Sequence, residues 1–242
     1  MWNFFSRKDE IEQPLYKTDI HSHLLPGLDD GVKTFEDAET IIRMFMESGF
    51  TRAITTPHIM NDYYRNTPSG ISEKAIELRN YLKEKNIVFD LQFAAEYYFD
   101  ETLQELLASD AKMLTFHDNY LLFETNPIAE PMMLNDFIFQ LKVKDYKPVL
   151  AHPERYQFLQ NNPARIEDLI DRGLYFQVNA LSFTGFYSRP IQKVVNYLVE
   201  KKFVHFIGSD CHTVHHAKLL KEAIQNKYFK KALNLPLLNY SL

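Results

Sequence analysis

The sequence feature that most constrains the fold is a set of metal-ligand-type side chains, each placed where a short apolar segment ends. His21 and His23 follow the first of these segments, and Asp210 and His212 follow the apolar run over residues 203–207. On a strand, residues two apart project to the same face, so each pair presents two ligand atoms side by side. Four further residues occupy the same kind of position, namely His58, Glu96, Glu124 and His152.

A single His-x-His pair carries little weight, because two histidines at this spacing more often belong to a solvated turn than to a metal site. The repetition of ligand-type residues at the ends of separate apolar runs is much harder to attribute to chance. It favours one metal site assembled from distant parts of the chain.

Apolar and amphipathic segments alternate along the chain. Strands are predicted up to His21 and over residues 52–56, 88–95, 120–123, 148–151, 174–178 and 203–208. Helices are predicted over residues 34–48, 72–85, 102–107, 134–143, 163–171, 191–200 and 215–228, the first with Thr34 as its N-cap and Gly49 after its end. Seven strand–helix units with short connections predict an α/β fold with parallel strands and outer helices, closed or nearly closed into a single (β/α)7 barrel. In such barrels the active site lies at the C-terminal ends of the strands, which is where the candidate ligands fall.

Length and composition narrow the class of protein. The 242 residues suit one barrel domain, and 45% apolar residues suffice for a buried core. A net charge of −5 and a pI near 6.0 argue against a nucleic-acid partner. One cysteine excludes an internal disulfide framework and fits a cytoplasmic location. No apolar run reaches the roughly 20 residues that a membrane span needs, and residues 1–8 lack the apolar core of a signal peptide.

The candidate ligands indicate a metal-dependent hydrolase. Imidazole and carboxylate ligands suit zinc, manganese or iron, and nine candidates exceed what one ion needs. Two or three ions with a bridging carboxylate are therefore expected. Closely spaced ions can clamp the oxygens of a phosphoryl group and activate a water as the nucleophile, so hydrolysis of a phosphate ester is the leading chemistry. The candidate metal ligands are His21, His23, Asp30, His58, Glu96, Glu124, His152, Asp210 and His212.

Some of these assignments stay open at the level of the sequence. Glu96 opens a polar run and, taken alone, fits a surface carboxylate as well as a ligand. Asp29 and Asp30 are both turn-forming residues, and the sequence does not decide which of them is the ligand. His215 and His216 lie outside the pattern, although they are close enough in sequence to support the site.

Six short motifs occur together and in order: Asp-Ile-His-Ser-His at 19–23, Asp-Asp-Gly at 29–31, Ala-Glu-Tyr-Tyr at 95–98, Ala-His-Pro-Glu-Arg-Tyr at 151–156, Gln-Val-Asn at 177–179 and Ser-Asp-Cys-His at 209–212. With these motifs the chain resembles the polymerase-and-histidinol-phosphatase (PHP) family. More narrowly, it resembles the bacterial branch of manganese-dependent protein tyrosine phosphatases found with capsule and exopolysaccharide genes. The resemblance covers residue 18 to the end and implies a distorted TIM-like barrel. Residues 18–242 are therefore expected to form the PHP phosphatase domain, and residues 1–17 an N-terminal arm.

The resemblance also implies how the ligands are shared among ions, of which manganese is the expected one and iron or zinc the alternatives. One ion would be held by His21, His23, Glu96 and Asp210, a second by Glu96 as the bridge with Glu124 and His152, and a third by Asp30, His58 and His212.

Arg155 matches an arginine that binds the substrate phosphate in the family, and a surface salt bridge is its ordinary alternative. A planar guanidinium group suits phosphate oxygens. The resemblance places Arg155, Asp210 and His212 in the catalytic group. Relatives carry a further arginine or a polar loop after the Asp-x-His motif, whereas residues 213–216 of this chain are Thr-Val-His-His. Arg65, in an earlier loop, is the candidate substitute for substrate binding.

The resemblance implies hydrolysis of protein phosphotyrosine by a metal-activated hydroxide, with a bacterial tyrosine kinase that regulates capsule or exopolysaccharide synthesis as the expected partner. A phenolate leaving group has a conjugate pKa near 10, so it needs less help from a general acid than an alkoxide would. Tyr63, Tyr64, Tyr97 and Tyr98 are candidates to flank such a substrate, or to pack at the rim. A histidinol-phosphate or other small-molecule phosphatase, a nuclease module and a non-catalytic metal-binding scaffold are the alternatives. The natural substrate and the oligomeric state stay open.

Overall fold

The computed structural model describes residues 15–109 and 111–242. The predicted N-terminal arm therefore lies outside the described residues, except for its last three positions. Within the described ranges the chain alternates between short strands and α-helices. The strands are β1 (Thr18–Asp19), β2 (Arg52–Thr55), β3 (His58–Ile59), β4 (Asp90–Phe93), β5 (Glu96–Tyr98), β6 (Tyr120–Glu124), β7 (Lys147–Ala151), β8 (Tyr175–Asn179) and β9 (Phe206–Gly208). The helices are α1 (Phe35–Glu47), α2 (Pro68–Glu84), α3 (Glu101–Ala108), α4 (Leu134–Val143), α5 (Pro163–Asp171), α6 (Arg189–Lys201), α7 (Val214–Ile224) and α8 (Lys227–Leu233).

The strands form two sheets, and every pair within them is parallel. The smaller sheet has the order β1-β2-β4, and the larger one has the order β3-β5-β6-β7-β8-β9. An α/β fold with parallel strands is therefore confirmed. Among the described residues, no helix is both long enough and apolar enough to cross a membrane.

The strand predicted over residues 88–95 is observed as the shorter β4, and the chain then changes sheet and enters β5, a strand that was not predicted. β4 pairs with β2 in the smaller sheet, and β5 pairs with β3 in the larger one. Pro57 lies between β2 and β3, and a proline has no N–H with which to continue a ladder. β4 and β5 pair with β2 and β3, respectively, and the break between Phe93 and Glu96 lies beside Pro57.

Capping residues explain where the helices begin. Thr34 caps α1 as predicted, since its side chain accepts a hydrogen bond from the Asp37 N–H. α2 begins at Pro68, four residues before the predicted start. Thr67 caps this helix by accepting from the Gly70 N–H, and proline is favoured in the first helical turn because its missing N–H has no helical partner there.

The last predicted helix, over residues 215–228, is wrong because it is two helices. α7 ends at Ile224 and α8 begins at Lys227. Between them, the side chain of Asn226 accepts hydrogen bonds from the N–H groups of Tyr228 and Phe229. This cap starts a new helix. The apolar periodicity continues across the break, so it did not predict the boundary.

A separate buried apolar cluster combines side chains that belong to, or flank, strands of both sheets. These buried residues are Ile20, Ile54, Ala94, Phe116, Tyr120, Leu122, Val149, Ala151 and Phe206. A larger apolar core lies between the sheets and the surrounding helices. The strands are thus packed on both faces, which fixes where their C-terminal ends lie.

Asn239 joins β9 to β1 near the start of both strands. Its side chain is buried, its Oδ1 accepts from the Ile207 N–H at 2.9 Å, and its Nδ2 donates to the Ile207 carbonyl at 2.9 Å and to the Thr18 carbonyl at 3.3 Å. The amide therefore takes the place of a missing strand neighbour.

We expect Asn239→Ala to lower the free energy of unfolding by about 2 to 4 kcal/mol, because each buried polar group left without a partner costs about 1–3 kcal/mol. Chemical denaturation measures the change. The matched control is Asn234→Ala in the same terminal segment, where the exposed side chain makes a 3.4 Å contact with the Lys230 carbonyl. Equal stabilities of the two variants would contradict the bridging role of Asn239.

Candidate metal centre

His21 and His23 follow β1 and project into the centre of the molecule, where both are fully buried. Their Nε2 atoms lie 3.3 Å apart. The His21 Nε2 atom lies 3.2 Å from Glu96 Oε2 and 3.4 Å from Asp210 Oδ1, and the His23 Nε2 atom lies 3.5 Å from each of these oxygens. Two residues that follow β1, the first residue of β5 and a residue that follows β9 therefore meet at one point.

Glu96 extends this cluster in a second direction. Its Oε2 atom lies 3.2 Å from His58 Nδ1, and its Oε1 atom lies 3.1 Å from His152 Nε2. Glu124 lies beside the same two histidines, with Oε1 3.1 Å from His58 Nδ1 and Oε2 3.8 Å from His152 Nε2. Because both oxygens of Glu96 face imidazole nitrogens on different sides, this carboxylate has the geometry of a bridging ligand.

A third group lies at the mouth of the site. The Asp30 Oδ1 atom lies 3.3 Å from His212 Nε2 and 3.5 Å from His58 Nε2. The ring of His212 stacks on that of His23, with centroids 3.9 Å apart. His58 thus lies between the second and third groups, since its two ring nitrogens face different carboxylates.

The residues present fit divalent cations. Glu96 Oε2 and His58 Nδ1 are buried, and neither atom has a hydrogen-bond partner among the described residues. They lie 3.2 Å apart, but their orientation does not make a hydrogen bond. Nitrogen also faces nitrogen between His21 and His23, where two acceptor atoms cannot satisfy each other. Buried polar atoms normally have partners, and cations placed among these atoms would supply them. Three groups within the described residues have the spacing that an ion requires: His23, Asp30, His58 and His212; His21, His23 and Glu96; and His58, Glu96 and Glu124.

Electrostatics keep the carboxylates of the cluster ionised. Burial alone would raise the pKa values of Glu96 and Asp210, but the neighbouring histidines outweigh it and hold both well below the usual range. Burial alone would lower the pKa of His21, yet Glu96 and Asp210 outweigh it and raise that pKa to about 9. A group of buried, ionised carboxylates needs positive charge nearby.

Side chains behind His21 and His23 fix the direction of these two rings. The His21 Nδ1 atom lies 2.7 Å from Gln177 Oε1, and the His23 Nδ1 atom lies 2.7 Å from Asp29 Oδ2. An acceptor beside Nδ1 places a ring hydrogen there, so a cation at the centre would replace the proton on Nε2 and meet the lone pair of a neutral imidazole. Asn179 does the same for a carboxylate, since its Nδ2 donates to Asp210 Oδ2 at 2.6 Å.

The structure separates the roles of Asp29 and Asp30, which the sequence left open. Asp29 is buried behind the site, where its carboxylate accepts from His23, from the Gly31 N–H and from the His58 N–H. Asp30 is exposed at the mouth, with its carboxylate toward the histidines. The geometry favours Asp30 as the ligand and Asp29 as the residue that orients one.

Two of the candidate ligands have an unusual backbone conformation. His152 has φ 35° and Asp210 has φ 49°, in the left-handed region that residues other than glycine seldom adopt. Such strain persists only where the surroundings enforce it, and it is concentrated at functional sites.

Arg155 lies beside the cluster, with its NH1 atom 3.2 Å from Asp210 Oδ2. It borders a cavity of about 540 Å³ that opens over the candidate ligands. The residues that line this cavity are Asp30, His58, Met60, Tyr63, Tyr64, Glu96, Glu124, His152, Arg155, Tyr187, Asp210, His212 and His216. His21 and His23 lie beneath it.

Other predicted site residues lie away from this cavity. Arg65 is exposed, and its Nε donates to the Asn61 carbonyl at 2.6 Å. Tyr97 is buried and its hydroxyl accepts from the Leu114 N–H. Tyr98 does not line the cavity either. Of the four tyrosines considered, the structure brings only Tyr63 and Tyr64 to the cavity wall.

Sequence reasoning missed the residues that orient the ligands. Gln177 and Asn179 belong to the Gln-Val-Asn motif at the end of β8, and their two-residue spacing is the same signal that identified His21 and His23. Tyr187 lies in a loop, where no spacing pattern distinguishes it from a surface tyrosine.

Comparisons with known proteins agree with this geometry. Residues 17–234 match the model of the family described as capsular polysaccharide synthesis, CpsB/CapC. The tyrosine-protein phosphatase YwqE of Bacillus subtilis is 30% identical over 197 residues, which are 81% of this chain and 77% of YwqE. A similar solved structure belongs to a study of YwqE from Bacillus subtilis and CpsB from Streptococcus pneumoniae, which are described as unique metal-dependent tyrosine phosphatases. It matches this chain with a TM-score of 0.79 and 28% identity, over 90% of this chain and 89% of that one. Histidinol phosphate phosphatase of Lactococcus lactis, solved with zinc, L-histidinol and phosphate, shares the fold at a TM-score of 0.51 and 13% identity, over 87% of this chain and 94% of that one.

We expect Asp29→Asn to weaken metal binding by roughly 10- to 100-fold, because removing a group that orients a ligand typically has this effect. The amide that replaces the carboxylate would also turn an N–H group either toward His23 and the His58 N–H, which share Oδ2, or toward the Gly31 N–H at Oδ1. Titration of metal-free protein with manganese measures the affinity. Asp171→Asn at the exposed end of α5 is the matched control, and an Asp29→Asn affinity equal to that of the control would contradict the orienting role.

Proposed function

The chain belongs to the CpsB/CapC capsular polysaccharide synthesis family, and from that membership we propose that it is a metal-dependent phosphatase that hydrolyses phosphotyrosine in proteins. The resemblance to the capsule-associated tyrosine phosphatases is thereby confirmed at the level of the family. The observation that carries the proposal is the convergence of nine imidazole and carboxylate side chains beneath a cavity that Arg155 borders.

We assign the candidate ligands to two or three divalent ions, with manganese expected and iron or zinc as alternatives. His21, His23, Glu96 and Asp210 surround the innermost position, Glu124 and His152 lie on the other side of the Glu96 carboxylate, and Asp30, His58 and His212 surround the outermost position. When bound, closely spaced divalent ions neutralise phosphoryl oxygens and activate a water.

The remaining chemistry is done by residues of the chain itself. In this proposal, the Arg155 guanidinium group binds phosphate oxygens at the cavity wall, where a planar fork of N–H donors suits them. Asp210 holds that guanidinium group, and Gln177 and Asp29 hold the histidine rings. Tyr63 and Tyr64 offer aromatic surface at the rim, where the phenyl ring of a phosphotyrosine side chain would lie. The phenolate that leaves has a conjugate pKa near 10, so the site needs no strong general acid.

We infer that the substrate is a phosphotyrosine protein of capsule or exopolysaccharide synthesis, with a bacterial tyrosine kinase as the expected partner. The family description supports the link to capsule synthesis. We assign the phosphatase domain to residues 18–242, and the family match over residues 17–234 supports this assignment.

We infer further that the two sheets form one distorted TIM-like barrel of the PHP type. Backbone hydrogen bonds across the gap between β9 and β1 support this architecture. The Asp210 N–H donates to the His21 carbonyl at 2.7 Å, and the His23 N–H donates to the Cys211 carbonyl at 3.0 Å. The outer edge of the larger sheet is thus bonded to the smaller sheet just beyond the strand ends.

The function is tested with protein purified without added metal, then stripped with a chelator and reconstituted with manganese. We expect at least two metal equivalents per chain and hydrolysis of a phosphotyrosine peptide that disappears on stripping and returns on reconstitution. Histidinol phosphate, assayed in parallel, should be a much poorer substrate. A stoichiometry of one metal or less after reconstitution would exclude the multinuclear site. Preferential turnover of histidinol phosphate would exclude the assignment to phosphotyrosine.

We expect Cys211→Ser to keep most of the activity and metal content, because this cysteine is not a nucleophile. Thiol-dependent tyrosine phosphatases use a reactive thiolate, with an arginine six positions after the cysteine, a position occupied here by Ala217. Cys211 is buried in the apolar core, and burial raises the pKa of its thiol far above the usual range. Phosphopeptide kinetics and thiol alkylation measure the effect. Loss of activity with unchanged metal content, together with resistance to chelation, would overturn the metal-dependent mechanism.

A further inference from the structure

The ring of Tyr187 lies against the guanidinium group of Arg155. The guanidinium carbon is 5.1 Å from the ring centroid, within the range of about 6 Å over which a cation is attracted to the face of an aromatic ring. Tyr187 is half-buried in the loop between the 3-10 helix Ala180–Thr184 and α6, and it lines the cavity together with Arg155.

The same arginine is held from a second side by Asp210, at 3.2 Å. Asn179 ties these groups together, since its Nδ2 donates to Asp210 Oδ2 at 2.6 Å and lies 3.4 Å from the Tyr187 hydroxyl. The arginine side chain is nevertheless 38% exposed, so Asp210 alone leaves it free to rotate toward solvent. The ring of Tyr187 closes that side.

An aromatic ring and a carboxylate hold the guanidinium group of an arginine in different ways. A second carboxylate would pair with guanidinium N–H groups and neutralise the charge that a phosphate needs. A ring face attracts the cation through its π-electrons and occupies none of the in-plane N–H donors. The donors that do not face Asp210 therefore stay available to an anion in the cavity.

We propose that Tyr187 is a positioning residue for substrate phosphate, whose ring holds the Arg155 guanidinium group at the cavity wall with its remaining N–H donors toward the phosphate. This inference rests on the proposed function, because Arg155 has a phosphate to bind only if a phosphate ester is the substrate. The ring is the part that acts, since the contact of the hydroxyl group with Asn179 is long at 3.4 Å.

The test compares Tyr187→Leu, which removes the ring, with Tyr187→Phe, which keeps it, in the manganese-loaded full chain. Inhibition by inorganic phosphate reports on phosphate binding without any aromatic group in the ligand. We expect Tyr187→Leu to raise the inhibition constant of phosphate by roughly 2- to 30-fold, the factor that corresponds to a cation–π contact of about 0.5–2 kcal/mol. The KM for a phosphotyrosine peptide should rise in parallel, and the metal content should stay unchanged. Tyr187→Phe should restore most of the lost phosphate affinity.

A double variant shows whether Tyr187 acts through Arg155. In the Arg155→Ala background, Tyr187→Leu should cause no further loss of kcat/KM, because there is no guanidinium group left to position. The matched control is Tyr197→Leu on α6, where a half-buried tyrosine holds the Lys201 ammonium group 5.7 Å from its ring centroid outside the cavity. This control should leave the phosphate inhibition constant unchanged.

Three results would overturn the inference while leaving the proposed function intact. The first is a raised KM for phosphopeptide with an unchanged phosphate inhibition constant, which would mean that Tyr187 contacts the aromatic ring of the substrate. The second is a full additional loss on combining Tyr187→Leu with Arg155→Ala. The third is a Tyr187→Phe variant as impaired as Tyr187→Leu. A metal-loaded wild-type protein that hydrolyses no phosphate ester would overturn the proposed function, and the inference with it, whereas turnover of histidinol phosphate alone would overturn only the assignment to phosphotyrosine.

Discussion

The burial of the Glu96 carboxylate is the interaction on which both the fold and the candidate site depend. Glu96 opens β5 and pairs in register with His58 of β3, and its side chain is fully buried. A carboxylate in such a place is costly unless positive charge or hydrogen-bond donors surround it. Imidazoles of His21 after β1, His58 at the start of β3 and His152 after β7 do so here, and they hold the pKa of Glu96 well below its ordinary value. The strands are thus arranged around a group that is stable only when all of them are in place.

Close packing of the backbone brings these histidines together. A Cβ atom on Gly208 would lie 2.6 Å from the His21 Cβ, and one on Gly31 would lie 2.3 Å from the His23 carbonyl oxygen. Both distances are too short for any side chain, so glycine is required at these two positions. The loop after β1 and the end of β9 can therefore approach the histidines closely enough for Asp29 and Asp210 to reach them.

The sequence predicts much of the candidate site because strand ends follow a simple local rule. Each ligand-type residue except Asp30 follows an apolar run, and parallel strands bring those ends to one edge of a sheet, so eight of the nine candidates could be named by this rule without coordinates. Asp30 lies in a turn, where the sequence did not decide between it and Asp29. The orienting contacts have no such local signal. Gln177 meets His21 across 156 positions of the chain, and Tyr187 meets Arg155 from a loop. The division of β4 from β5 depends on a neighbour, and the division of α7 from α8 depends on one asparagine cap, so periodicity alone predicted neither.

The side chains of residues 210–212 point in alternating directions, which explains why this chain can combine a candidate metal centre with an unreactive cysteine. Asp210 and His212 point toward the candidate ligands, while Cys211 between them points into the apolar core and its S–H donates to the Thr213 carbonyl. A reactive thiolate needs exposure and nearby positive charge. Burial denies exposure to Cys211 and raises the pKa of its thiol, and the carboxylates of Asp19 and Asp210 raise that pKa further. The positive charge in the cavity is instead carried by Arg155, whose partner Asp210 belongs to the candidate metal centre itself. In the proposed function, phosphate recognition and metal binding would therefore share one carboxylate, and a substitution that alters one is expected to alter the other.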